Sequence, residues 1–157
     1  MQSNFQACLN FTLAYEGGWS DNTKDPGGAT MKGITLATYR RWFPNASKKQ
    51  LHNISAENVA KIYRTDYWDT VNGNTLAAGV DLVTFDGSVN SGPARAKKWL
   101  LASIGGSDVE TVKKFCAKRL GFMRSLAIWK TFGKGWLARV TAAEAKGVAW
   151  AAAAVTT

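Results

Sequence analysis

The sequence has one histidine, His52, and two cysteines, Cys8 and Cys116. No CxxC spacing is present and the ligands are too few, so a Cys/His zinc cage is excluded and a His-rich catalytic zinc site is not expected. The cysteines are read as buried free thiols, since two of them do not make a disulfide framework. No metal and no other cofactor is expected. His52 with either cysteine also gives no recognised nucleophile pattern for peptide cleavage. Long apolar runs are missing too: the longest, Val148 to Val155, has eight residues and is mostly alanine, against the ~20 needed to cross a bilayer. The opening Met1-Gln2-Ser3-Asn4 lacks a basic region leading into an apolar stretch, so cytoplasmic synthesis is expected, with action outside the membrane only after release.

Acidic residues are scarce, 11 against 20 Lys and Arg, for a formal net charge of +9. That balance attracts polyanions, and nucleic acid, anionic lipid and acidic cell-wall polymer all fit it. No zinc-finger spacing or RNP-like aromatic strand is present, so no specific nucleic-acid partner is expected. Many of the basic residues, including Lys97, Lys98, Lys113, Lys114, Lys118 and Arg119, fall in the second half and read mostly as a solvated helix face.

What is there suffices for a folded core: 157 residues, 46% of them apolar and 11% aromatic. One compact monomeric unit is expected. Ser3 with Gln6 makes a capping-box pattern, and Phe5, Cys8, Leu9 and Thr12 recur at helical spacing, predicting a first helix from about Asn4 to Glu16. From Gly17 to Gly33 the chain turns to Gly, Asp, Asn, Ser and Thr around Asp25-Pro26-Gly27-Gly28, a hairpin or loop signature. Thr35 and Ser55 are placed to cap two amphipathic helices. A buried helix follows, ending at Asn90-Ser91-Gly92, with Pro93 at the start of the next. Ser107 with Glu110 repeats the capping box and opens a helix expected to run to Gly133. Gly133-Lys134-Gly135-Trp136 is read as a break before a last Ala-rich helix. The fold class is therefore mainly α with a short β-hairpin lobe.

At about 100° per residue, Glu16 falls within the apolar stripe formed by Phe5, Leu9 and Thr12 on the first helix. A carboxyl facing an apolar interior loses hydration and can hold a proton to donate near neutrality, as a general acid must. A helix-end glutamate that turns aside to solvent or to a basic side chain is the competing reading. Gly17-Gly18 favours a cleft, because bare backbone lets a polymer approach closely. Asp25 and Thr30 flank the turn and could fold back across Glu16. Glycoside hydrolysis pairs a protonated carboxyl with a second polar group that handles water or developing positive charge. Asp25 has an alternative as a turn-former before Pro26.

The elements Glu16-Gly17-Gly18-Trp19, Asp25-Pro26-Gly27-Gly28-Ala29-Thr30 and Lys32-Gly33-Ile34-Thr35 together resemble the N-acetylmuramidases of glycoside hydrolase family 108. The resemblance continues through Tyr67-Trp68, Phe85-Asp86 and Val89-Asn90-Ser91-Gly92 and covers roughly residues 4 to 95. It implies a lysozyme-like fold and cleavage of the β-1,4 bond between N-acetylmuramic acid and N-acetylglucosamine in peptidoglycan. Glu16 matches the catalytic glutamate, and Asp25 and Thr30 are carried over as its partners. Trp19, Tyr67, Trp68, Asn90 and Ser91 are candidate substrate-binding residues, each with core packing or capping as its alternative. Asp86 interrupts a more apolar stretch and is given no role.

Residues 96–157, with Arg119-Leu120, Trp129 and Phe132-Gly133-Lys134-Gly135-Trp136, resemble the helical peptidoglycan-binding segment that follows the catalytic region in such proteins. The two regions, 1–95 and 96–157, are expected to pack as one unit, with the basic charge drawing it to anionic wall polymer or an outer-membrane surface. A phage-type endolysin, bacteriolytic and antimicrobial, is the implied setting. A lytic transglycosylase acting on the same bond, and a non-catalytic cationic antimicrobial protein, are the rival readings.

Overall fold

The computed structural model describes residues 4–24 and 28–156. Helix α1 (Asn4–Leu13) buries Phe5, Cys8, Leu9 and Thr12, the expected face. Its expected cap, Ser3, lies outside the described residues. The helix stops three residues short of Glu16. The amides of Tyr15 and Glu16 reach back only to the carbonyls of Thr12 and Leu13, at 3.0 and 3.2 Å, so the last turn tightens and carries Glu16 past the helix end.

The Gly-rich stretch forms a small antiparallel sheet in the order β1 (Ser20–Asp21), β2 (Ala29–Met31), β3 (Ile34–Thr35). Met31 pairs with Ile34, leaving Lys32 and Gly33 as a two-residue turn. Both have positive φ, 50° and 79°, as a type I′ hairpin turn requires. Thr35 then caps α2 (Leu36–Trp42), its hydroxyl accepting the Thr38 amide at 3.1 Å. A helix not anticipated, α3 (Lys48–His52), opens on a Ser47–Gln50 capping box. Ser55 caps α4 (Ala56–Tyr63), which continues into a widened turn at Arg64–Trp68, where the Asp69 amide reaches the Arg64 carbonyl at 2.8 Å.

Helix α5 (Val80–Ser91) is buried at every residue from Val80 to Ser88. It is the centre of the molecule. Leu82 and Phe85 join a core formed with α1, the sheet, α2 to α4 and Trp68. Val80 and Val83 join a second core with Ala96, Trp99, Val112, Phe115, Met123, Val140 and Ala143. Gly92, at φ 93°, ends α5, and Pro93 opens α6 (Pro93–Leu101). The Ser107–Glu110 box opens α7 (Asp108–Arg124). Residues on either side of position 95 thus share a core through α5.

Two boundaries depart from expectation. Helix α7 ends at Arg124, and α8 runs without a break for 27 residues, Trp129–Val155, through Gly133-Lys134-Gly135. Gly133 is a packing glycine: a β-carbon there would sit 2.5 Å from the Trp129 indole, so the missing side chain makes room for the ring. No helix among the described residues is long and apolar enough to cross a membrane. Cys8 and Cys116 are buried and free. Burial raises both thiols, Cys116 to about 12, which leaves neither as a ready nucleophile. The architecture is mainly α, lysozyme-like, with a short β lobe.

Candidate active site

Glu16 stands where α1, the hairpin turn and α8 meet. Its side chain is 20% exposed, and its Oε1 accepts a hydrogen bond of 3.0 Å from Arg139 Nη1 on α8. The apolar surroundings expected from the helical wheel are therefore replaced by a guanidinium. That expectation assumed the helix continued to Glu16 and considered only its own face. The other carboxylate oxygen, Oε2, lies against the β2–β3 turn: a β-carbon on Gly33 would sit 2.9 Å from it and 2.5 Å from the Tyr63 hydroxyl. Tyr63 donates to the Lys32 carbonyl at 2.6 Å, which fixes the turn beside the acid. Gly33 is thus required twice, by its φ and by this clearance. Burial first, and the Glu16 charge second, push the Tyr63 phenol upward, so it remains a protonated donor.

Behind Arg139 lies a buried ionic chain. Arg139 Nη2 donates to Asp86 Oδ1 at 2.8 Å, and its Nε lies within 3.1 and 3.2 Å of the two Asp86 oxygens. Arg119 Nη1 donates to Asp86 Oδ2 at 2.8 Å, and Arg119 Nη2 donates to Asn90 Oδ1 at 3.0 Å. The Thr12 hydroxyl adds a bond of 2.9 Å to Asp86 Oδ1. Asp86 and Arg119 are fully buried. Burial by itself pushes the Asp86 carboxyl up, but the two guanidiniums and their hydrogen bonds outweigh it and hold the group below its ordinary value. One carboxylate so joins α1, α5, α7 and α8, and the order Arg119, Asp86, Arg139, Glu16 alternates in sign.

The expected site residues separate on this frame. Thr30 is half-buried on β2, opposite Ser20 and Thr35, in the hairpin whose turn abuts Glu16. Asp25 lies outside the described residues. Tyr67 is half-buried with its ring 5.5 Å from that of Tyr63. Burial, Asp66 and Glu16 raise its phenol, in that order. Trp19 is 37% exposed and meets His52 edge-on at 4.8 Å. Asn90 and Ser91, at the end of α5, line a groove of about 310 Å³ with Arg95, Phe122 and Trp136 among its walls.

Trp68 is a correction. It is fully buried, packs edge-on against Phe5 and Phe85, and gives its indole N–H to Asn74 at 2.8 Å. A core tryptophan cannot stack on a sugar. Arg119 is a second one, since it belongs to the buried chain and not to a solvated face. Among the described residues no group of three His, Cys, Asp or Glu side chains could hold a metal ion. Sequence reasoning missed Gly33, Tyr63 and Arg139 as neighbours of Glu16. A signal existed for the ionic chain: Asp86 inside an apolar helix needs a cationic partner wherever that helix is buried.

The glycosyl hydrolase 108 family model matches residues 9–92, within the span of the motif resemblance. A solved structure of SagA from Brucella abortus superposes with a TM-score of 0.83 at 34% identity, over 96% of this chain and 97% of that one. No curated protein matches. With more than half of the sequence under the family model and this likeness over nearly its full length, the chain belongs to glycosyl hydrolase family 108 and is a glycoside hydrolase.

Proposed function

We propose that the protein is an N-acetylmuramidase, hydrolysing the β-1,4 bond between N-acetylmuramic acid and N-acetylglucosamine in bacterial peptidoglycan, with Glu16 as the general acid. The observation that carries this reading is the setting of Glu16. It is the glutamate of the family motif, four-fifths shielded from solvent, held on Oε1 by Arg139 and with Oε2 turned to the hairpin. Oε2 is then the oxygen that delivers the proton to the glycosidic oxygen. Thr30, on β2, and Asp25 would orient the attacking water or support the developing positive charge. Tyr67, Trp19, Asn90 and Ser91 are the proposed sugar contacts.

Wall binding by the C-terminal helices belongs to the same proposal. Residues 96–157 would help to hold the polymer, and a groove of about 590 Å³ between α1 and α8 supports this. Phe11, Tyr15 and Trp150 contribute to its walls, and the Lys146 ammonium stands 5.9 and 5.8 Å from the Phe11 and Trp150 rings. Lys146 makes no ion pair among the described residues, which suits the carboxylates of a peptidoglycan strand.

Digestion of purified peptidoglycan, with mass spectrometry of the released fragments, tests the assignment. Hydrated reducing ends and no release by Glu16→Gln are expected. Anhydro ends would replace hydrolase by lytic transglycosylase. Full lysis by Glu16→Gln would remove Glu16 from the mechanism, and killing of cells that survives both this change and heat denaturation would favour a non-catalytic cationic protein.

A further inference from the structure

We propose that Asp86 is a positioning residue for Glu16 and acts through Arg139, so that α7 and α8 complete the catalytic centre as well as the fold. The proposal rests on the reading of Glu16 as the acid.

A guanidinium is planar, and its donors keep fixed directions relative to one another. In Arg139, Nε and Nη2 are both committed to Asp86, at 2.8 to 3.2 Å. With that edge pinned, the direction of Nη1 is no longer free, and it falls on Glu16 Oε1 at 3.0 Å. Asp86 is itself held from three sides, by Arg119, Arg139 and the Thr12 hydroxyl. The Tyr15 ring, 5.7 Å from the Arg139 guanidinium carbon, covers it further. The rigid centre is therefore Asp86, and the group it aims is the acid.

Stability alone is a poor account of this arrangement. A buried ion network is often matched or exceeded by apolar side chains of similar volume, because desolvating the charges costs as much as their attraction returns. Three charged groups on α5, α7 and α8 are placed in the interior, and one donor, Arg119 Nε, has no hydrogen-bond partner there. The chain leaves the interior at one point, Glu16, which is also the one member with a free edge toward the hairpin. A carboxyl that must meet a glycosidic oxygen within hydrogen-bond reach loses rate steeply when displaced, on the order of 10²-fold for about 1 Å.

The test compares wild type, Glu16→Gln, Arg139→Lys and the double variant Asp86→Asn with Arg119→Gln. The double variant removes one charge of each sign and so avoids leaving a buried arginine unopposed. For each, kcat and KM are measured on soluble peptidoglycan fragments per folded molecule, with the folded fraction taken from near-UV circular dichroism. For the double variant, kcat is expected to fall on the order of 10²-fold with KM unchanged. Arg139→Lys keeps the Asp86–Arg119 pair and the charge, but one ammonium cannot reproduce the fork, so the same kcat loss is expected. Should the double variant fail to fold, Arg139→Lys decides alone. Wild-type kcat in folded Arg139→Lys, or in the folded double variant, would overturn the proposal. An inactive Glu16→Gln beside a fully active double variant would sink this inference while sparing the muramidase reading; an active Glu16→Gln would sink that reading itself.

Discussion

Arg139 and Glu16 are joined by a hydrogen bond of 3.0 Å across 123 positions of the chain, so the last helix grips the carboxyl that follows the first. Arg139 is held at this point by its own helix, since Val140 and Ala143 of α8 pack in the second core with Val80 and Val83 of α5. It also divides the labour of the two carboxylate oxygens. One is occupied by the guanidinium, and the other faces the turn between β2 and β3.

That turn is the tightest steric point of the site. Gly33→Ala would place a methyl group 2.9 Å from Glu16 Oε2 and 2.5 Å from the Tyr63 hydroxyl, at a φ of 79°. A left-handed conformation costs a non-glycine residue about 1–2 kcal/mol before any clash is counted. The expected result is a thermal midpoint lower by several degrees and a loss of peptidoglycan hydrolysis larger than the unfolded fraction explains. Turbidity clearing of a peptidoglycan suspension, normalised to folded protein, measures it, and wild-type clearing would show that Oε2 does not work against the turn.

Asp86 makes stability depend on acid. Burial raises this carboxyl, the paired arginines more than reverse that, and the folded value lies below the ordinary one. The unfolded chain therefore takes up the proton first. The stabilisation is complete above the unfolded carboxylate range and is lost as pH falls below it and through the folded value. Asp81 works in the opposite sense, because burial, only partly offset by hydrogen bonds from Asn4, Leu82 and Gly79, raises its carboxyl. The informative quantity is then the difference in thermal midpoint between wild type and the Asp86→Asn, Arg119→Gln double variant. Scanning calorimetry should find that difference shrinking as pH is lowered, and a constant difference would contradict the assignment.

Polymer binding can be separated from bond cleavage at the α1–α8 groove. Lys146→Ala and Trp150→Ala lie on α8, away from Glu16, and Lys146 is exposed. Each should reduce co-sedimentation with insoluble peptidoglycan by roughly three- to tenfold, as expected for loss of about 0.5–1.5 kcal/mol of aromatic or cation–π contact. Turnover of short soluble fragments should be unaffected. Equal sedimentation of variants and wild type would assign the groove another role.

Local signals were legible in the sequence wherever one residue decides one turn. Ser55 and the Ser107–Glu110 pair cap helices where their spacing says they should, and Gly92-Pro93 divides α5 from α6. The segment from Gly17 to Gly33 declares its hairpin through composition, and Glu16 through its motif. What was not legible depends on distant packing. Arg119 and Arg139 carry the marks of ordinary solvated helix residues, and only the burial of α5 turns them inward toward Asp86, 33 and 53 positions away. Tyr67 and Trp68 are adjacent and equally aromatic, yet the widened turn at Arg64–Trp68 leaves the first beside Tyr63 and sends the second into the core. Gly133 was misread because a glycine that seats an indole looks the same, in one dimension, as a glycine that ends a helix.

In the order of biosynthesis the acid emerges from the ribosome first, and the guanidinium that steadies it follows 123 residues later. Over those 123 residues the nascent polypeptide carries the Glu16 carboxyl without the guanidinium that hydrogen-bonds to it. A truncated product ending anywhere before Arg139 would share this condition, so incomplete copies of the enzyme would lack an assembled centre.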